Sequence, residues 1–203
     1  MRLFSLICRE NKERRKRLYP KLRDDRDLWV LLLKIEKNLA EQHREKGCAC
    51  GGRLHRARYR RKPRGGPEWL GEEYEWRESF CCEREGCRRR ATPPSVLYFG
   101  RRVYYGLVMI LVSALRQGPT AQSGEKIRRW LGVDLRTIRR WQHWWREVFP
   151  GLAFWRGLRG SAWAMLPVEE LPLALWESIQ GEDLRRRTQR LMCFFLPLTE
   201  HGN

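Results

Sequence analysis

Apolar residues recur at helical spacing near the start of the chain. Leu28, Leu32, Ile35 and Leu39 lie three or four positions apart, the interval that stacks side chains on one face of an α-helix. Asp24, Asp25 and Asp27 gather where that helix would begin, and the helix dipole favours acids there. Gly47 follows as a stop signal. The pattern predicts a helix over 24–46. Beyond it the helical period is lost: Gly51, Gly52, Gly65, Gly66, Pro67 and Gly71 exclude long helices. Residues 53–62 and 74–82 read as two strands of a hairpin, with the PRGGP run at 63–67 in the connecting loop. Pro93 and Pro94 mark the exit from this segment.

A helical period returns after residue 100. Residues 101–116 are apolar over most of their length, and Gly118-Pro119 ends that stretch. A second helix is predicted over 121–131, with Thr120 as its cap, and Gly132 supplies a turn. A third starts at Asp134, a favourable N-cap residue, and runs to about residue 149, where Pro150-Gly151 stops it. On this helix Ile138, Trp141, Trp145 and Val148 are spaced to form one apolar stripe. Arg136, Arg139, Arg140 and His143 fall on the opposite face. The tail reads as a helix near 169–179 and a basic helix over 182–195, which ends in the apolar run LMCFFLPL. The first twenty residues form a basic arm containing KERRKR.

The predicted fold is therefore α+β and mostly helical, a small β-hairpin module followed by a helix-turn-helix bundle. The expected divisions are a basic arm (1–20), an N-terminal helix (21–47), a cysteine module (48–100), a helix-turn-helix domain (101–150) and a C-terminal helical extension (151–203). Lys and Arg together number 42 against 24 Asp and Glu, a net charge of +18. Such an excess concentrates polyanions around the chain and speeds encounter with them. An anionic membrane is one polyanion, but the longest apolar stretch, 103–115, falls short of the ~20 residues needed to span a bilayer. The opening MRLFSLIC is too short for a secretory signal. The expectation is a cytoplasmic protein with no membrane partner.

In that compartment clustered cysteines point to metal rather than to disulfides. Cys48 and Cys50 form one close pair, and Cys82 and Cys87 form another, with Cys81 as an alternative to Cys82. Two pairs brought together by a hairpin supply the tetrahedral thiolate set that Zn²⁺ prefers. His55 is a further alternative, although it sits in a basic strand. The glycine- and arginine-rich segment around these residues has few aliphatics and needs a staple. In its first strand Arg56, Arg58 and Arg60 alternate onto one face, a row suited to phosphate contact.

In a helix-turn-helix the second helix of the pair enters the major groove, where Arg most often reads guanine. Arg136 and Arg140 are the first candidates for base contact, followed by Arg139 and His143. Arg128 and Arg129 on the preceding helix, and Thr137 at the side of the reading helix, are candidates for backbone contact. Trp141 and Trp145 lie on the core stripe and read as structural.

The succession of a four-cysteine module and the segment LGVDLRTIRRW resembles the N-terminal DNA-binding region of bacterial insertion-sequence transposases and related mobile-element proteins. The likeness covers roughly 48–149. It implies recognition of element ends or operators, with metal on Cys48, Cys50, Cys82 and Cys87 and recognition through Arg136, Arg139 and Arg140. The chain departs from the family in its CxC spacing and in the absence of a catalytic part. Its aspartates, Asp24, Asp25, Asp27, Asp134 and Asp183, do not form the spaced carboxylate set that two-metal strand transfer requires. No phosphate loop, HExxH or G-x-S-x-G motif occurs, so no enzyme is expected. The expected role is sequence-preferring duplex DNA binding, as an accessory protein or transcriptional regulator of a mobile element. Two other roles remain open on sequence alone. One is binding of structured RNA through the zinc module and basic arm. The other is a non-catalytic subunit that docks a nuclease or transposase through its apolar C-terminal segments.

Overall fold

In a computed structural model of the chain, the described residues are 21–99, 103–114, 128, 132–158 and 161–199. They form an α+β fold in which helices predominate over a few short antiparallel strands. The chain divides into two compact units, each discontinuous in sequence: one of residues 27–106 and 189–203, the other of 1–26 and 107–188. The expected cysteine module and the end of the C-terminal extension thus share one unit. The basic arm at 1–20 lies outside the described residues.

The first of these, the cysteine unit, is built on helix α1 (Arg26–Lys46). Leu28 and Leu32 are buried as their spacing predicts, but Ile35 and Leu39 are only half-buried. Trp29, Glu36 and Ala40 take the inner positions instead. The buried face is turned because Glu36 has polar partners inside. Its Oε1 accepts from Arg77 Nη1 at 3.0 Å and from Ser95 Oγ at 2.8 Å. Its Oε2 accepts from Ser95 Oγ at 2.9 Å and from the amides of Val96 (2.9 Å) and Leu97 (3.3 Å). Arg77 donates further to the Pro93 carbonyl. A buried carboxylate without such partners would be prohibitively costly. Burial raises the Glu36 carboxyl above its ordinary value even so, with Arg77 and the surrounding hydrogen bonds pulling the other way.

The expected hairpin is present but interrupted. Strand β1 (Leu54–Arg56) is followed by β2 (Tyr59–Arg60), β3 (Trp76–Arg77), β4 (Phe80–Cys82) and β5 (Arg90–Ala91). β1 pairs antiparallel with β4 in the register Leu54↔Cys82, and β4 pairs in turn with β5. β2 pairs with β3 in a separate ribbon, Tyr59↔Arg77. Between the two ladders the Ala57 amide donates to Ser79 O at 2.8 Å. Aromatic packing closes this unit. Trp29 meets Tyr105 edge-on at 4.9 Å, and Tyr98 stacks on Tyr105 at 5.9 Å. The hydroxyls of Tyr98 and Tyr105 both donate to the Tyr74 carbonyl.

The C-terminal apolar run completes the same core. Leu191, Met192 and Phe195 are buried, Phe195 lies 5.2 Å from Phe99, and Thr199 Oγ1 accepts from the Ser95 amide at 2.8 Å. These side chains face their own unit, while Phe194, Leu196 and Leu198 of the same run are half-buried. A Cβ on Gly106 would stand 2.9 Å from Phe99 Cδ2 and 3.1 Å from Met192 Cε, which explains the glycine at that point.

The other, helical, unit contains most of α2 (Gly106–Ser113), all of whose residues are buried. Next comes α3 (Leu135–His143), continued by a π-turn at Trp144–Val148 and a 3-10 turn at Phe149–Gly151. Then follow α4 (Ala153–Arg156), α5 (Leu173–Ser178) and the first part of α6 (Leu184–Phe194). Ile138, Trp141 and Trp145 are buried, as the stripe predicts. Val148 is not: it is 41% exposed, and Phe149 is buried in its place. The wider π-turn adds a residue to the repeat and brings the next position round to the core. Phe149 there packs 4.9 Å from both Trp145 and Trp155. The helix predicted at 121–131 lies outside the described residues except for Arg128, so the helix-turn-helix pairing rests on the sequence. What is described of the turn is Gly132, at φ +61°, whose amide donates to Arg128 O at 2.9 Å. Among the described residues no helix is long and apolar enough to cross a membrane.

Candidate metal centre and basic helix face

Two tight turns bring four thiols together. At the end of α1, Gly47 adopts φ +71° and its amide bonds back to Arg44 O. The chain then closes a knuckle in which the Cys48 amide donates to Gly52 O (2.9 Å) and the Gly51 amide to Cys48 O (2.8 Å). The second knuckle leaves β4 at Cys82. The Cys87 amide donates to Arg84 O at 3.1 Å, with Gly86 at φ +82°. The Sγ atoms of Cys48, Cys50, Cys82 and Cys87 all lie within 4.8 Å of one another. Cys48 and Cys87 are 3.8 Å apart, and Cys50 and Cys82 are 3.5 Å apart. Tetrahedral ligation at ~2.3 Å per Zn–S bond requires sulfur–sulfur edges of roughly 3.8 Å, whereas a disulfide requires ~2.05 Å. The four cysteines can therefore hold a metal ion, and the Cys48–Cys87 and Cys50–Cys82 separations are close to a tetrahedral edge.

Packing makes the site specific. A Cβ on Gly52 would come within 2.7 Å of Cys82 Sγ and 3.1 Å of Arg84 Cβ. Ala40, Leu54, Phe80 and Cys82 form a small buried cluster against which Cys48, Cys50 and Cys87 pack. The thiols are electrostatically unequal. The Gly52 backbone hydrogen bond, followed by those to Cys82 and Cys87, lowers Cys50 to about 6. Cys82 is pushed up to about 12: the Arg84 amide pulls it down, but burial and the neighbouring thiols outweigh that pull. Four thiolates at this distance repel one another, and a divalent cation removes the conflict.

The structure also separates the alternatives. Cys81 alternates to the other side of β4, with Sγ 3.7 Å from Arg88 O, and stands outside the cluster. His55 pairs with Glu83 at 3.0 Å and is likewise outside it.

The arginine row on the hairpin differs from expectation. Arg56 is ion-paired with Glu41 and, at 3.3 Å, with Glu78. Arg60 is paired with Glu75 at 2.5 Å and Glu72 at 3.2 Å. Arg58 alone of the three faces an aromatic ring, its guanidinium 4.7 Å from the Trp76 centroid. The carboxylates come from α1 (Glu41), from the turn before β3 (Glu72 and Glu75) and from the link between β3 and β4 (Glu78). Two of the three proposed phosphate contacts are thus partly neutralised within the unit.

On α3 the arrangement is cleaner. Asp134 caps the helix, with its Oδ1 accepting the Thr137 amide at 2.7 Å. Arg136, Arg139, Arg140 and His143 are all exposed, opposite buried Ile138 and Trp141. None of the four forms an ion pair among the described residues. Thr137, expected at the side of the helix and in reach of phosphate, is buried, and its hydroxyl donates to Asp134 Oδ2 at 3.1 Å. It belongs to the cap. Arg128 is exposed, and Arg129 lies outside the described residues.

Sequence reasoning missed Glu36 and Arg77, whose signal was a glutamate four places from Leu32 and four from Ala40, in phase with the buried face. No protein-family model, curated protein or solved structure matches the chain.

Proposed function

We propose that the chain is a duplex DNA-binding protein in which Zn²⁺ on Cys48, Cys50, Cys82 and Cys87 holds one unit folded and α3 of the other reads base edges. The observation that carries this reading is the exposed row Arg136, Arg139, Arg140 and His143 on a capped helix whose opposite face is buried. A guanidinium on such a helix can donate two parallel hydrogen bonds to guanine O6 and N7, and the net charge of +18 adds sequence-independent attraction. Bound zinc would supply no chemistry here beyond joining the knuckles. The role is binding without catalysis. The likeness to mobile-element proteins suggests an accessory or regulatory place in such an element.

The test is selection from random duplex DNA at about 150 mM salt, where purely electrostatic binding is suppressed, with structured RNA as competitor. A consensus that blurs in R136A supports the reading. Absence of a consensus, with protein drawn onto the RNA, overturns it.

A further inference from the structure

The two cysteine knuckles reach the metal position from distant parts of the sequence, and one side chain spans them. Arg84 sits in the second knuckle, between Cys82 and Cys87. Its Nη1 donates to the carbonyl of Cys50, in the first knuckle, at 2.6 Å. Its backbone amide donates to Cys82 Sγ at 3.4 Å. Its stem lies over Gly52, so close that a Cβ there would be 3.1 Å from Arg84 Cβ. Arg84 therefore touches both arms of the cluster and the glycine that allows them to approach.

The chemistry of the ligand set gives this contact a purpose. A divalent ion with four thiolates keeps about two negative charges, and groups that donate to the ligands or their backbone tune how firmly such a metal is held. We propose that Arg84 is a positioning residue for the metal, an inference that rests on metal binding by the four cysteines. Its guanidinium fixes the Cys48–Cys50 turn against the Cys82–Cys87 turn and offsets the thiolate charge. The acidic neighbours do not take over its guanidinium in the structure: Glu83 accepts from the Arg53 amide and pairs with His55, and Glu85 is an exposed side chain further along the loop. The backbone hydrogen bond to Cys82 does not depend on the Arg84 side chain and is kept in alanine and lysine variants, so such a variant isolates the guanidinium.

The experiment uses the full chain as wild type, R84A and R84K. Each is loaded with Co²⁺, whose absorption reports tetrahedral thiolate ligation, and separately with Zn²⁺, whose transfer to a chromogenic chelator gives affinity and release rate. R84A should keep the Co²⁺ thiolate spectrum at saturating metal, bind Zn²⁺ about 10-fold more weakly, the low end of the usual range for such outer partners, and release it faster. R84K, which keeps the charge without the fork, should fall between. Equal Zn²⁺ affinity and release in R84A and wild type would overturn the proposal. Loss of the Co²⁺ spectrum in R84A would also overturn it, since Arg84 would then be needed for the site to form at all. A wild-type chain with no Co²⁺ thiolate spectrum would instead remove the metal reading itself.

Discussion

A methyl group on Gly52 would lie 2.7 Å from Cys82 Sγ, inside any real contact. Neither atom has room to retreat, because the sulfur is buried and the knuckle is closed by its own hydrogen bonds. If the cysteines hold metal as proposed, G52A should lower the metal stoichiometry measured by elemental analysis, whereas alanine at Gly151, where a Cβ meets nothing within 4 Å, should leave it unchanged. A different logic governs Glu36 and Arg77. Breaking a buried pair leaves one charge without its partner, at a cost of about 3–5 kcal/mol. R77M should show that loss in denaturant unfolding followed by the fluorescence of the cysteine unit, and the paired change E36L/R77M should cost less than the sum of the two single changes. Strict additivity would mean that the pair is not coupled.

The elements show why some of this was legible and some not. Helix α1 is visible because Leu28 and Leu32 repeat at helical spacing, but Ile35 and Leu39 continue that spacing without reaching the inner face, which Glu36 and Ala40 occupy. The hairpin was visible from its composition. The two-residue strand β5, Arg90–Ala91, carries no alternation to read. Cys82 could not be separated from Cys81 by spacing, since only the register Leu54↔Cys82 decides which of two adjacent thiols faces the cluster. The start of α3 was fixed by Asp134, while the π-turn that exposes Val148 left no mark in the residue types. Asp134 also carries a pH signature. The Thr137 amide holds its carboxylate below the ordinary value of 3.8. A depressed folded value means the cap's contribution is full above the ordinary value and is lost as pH falls through the folded one. D134A should cost about 1 kcal/mol at neutral pH. The stability gap between wild type and D134N, read by thermal melts, should shrink as the solution is taken below pH 3.8; a gap independent of pH would contradict the cap.

For the molecule as a whole, two separate cores predict two separate responses. If metal on the four cysteines holds the knuckles together as proposed, chelation should remove amide-exchange protection from 48–56 and 80–91, which have few aliphatics of their own, and should leave 135–149 protected. Uniform loss would count against independent units, and no loss would count against metal binding. If α3 reads duplex DNA as proposed, R136A should cost about 1–3 kcal/mol at one base pair and relax choice there. R58A should weaken all sequences alike and reduce the salt slope by about one ion. Identical behaviour of the two variants in salt-titrated binding would end the division between base and phosphate contacts. The discontinuity of the units has its own consequence for a chain made from one end. Leu191, Met192 and Phe195, which finish the core beside Phe99 and Gly106, leave the ribosome long after both cysteine knuckles have emerged. Through that interval the aromatic face they will cover stands open, and an ion captured early by the four thiols would act as a temporary clasp until α6 arrives.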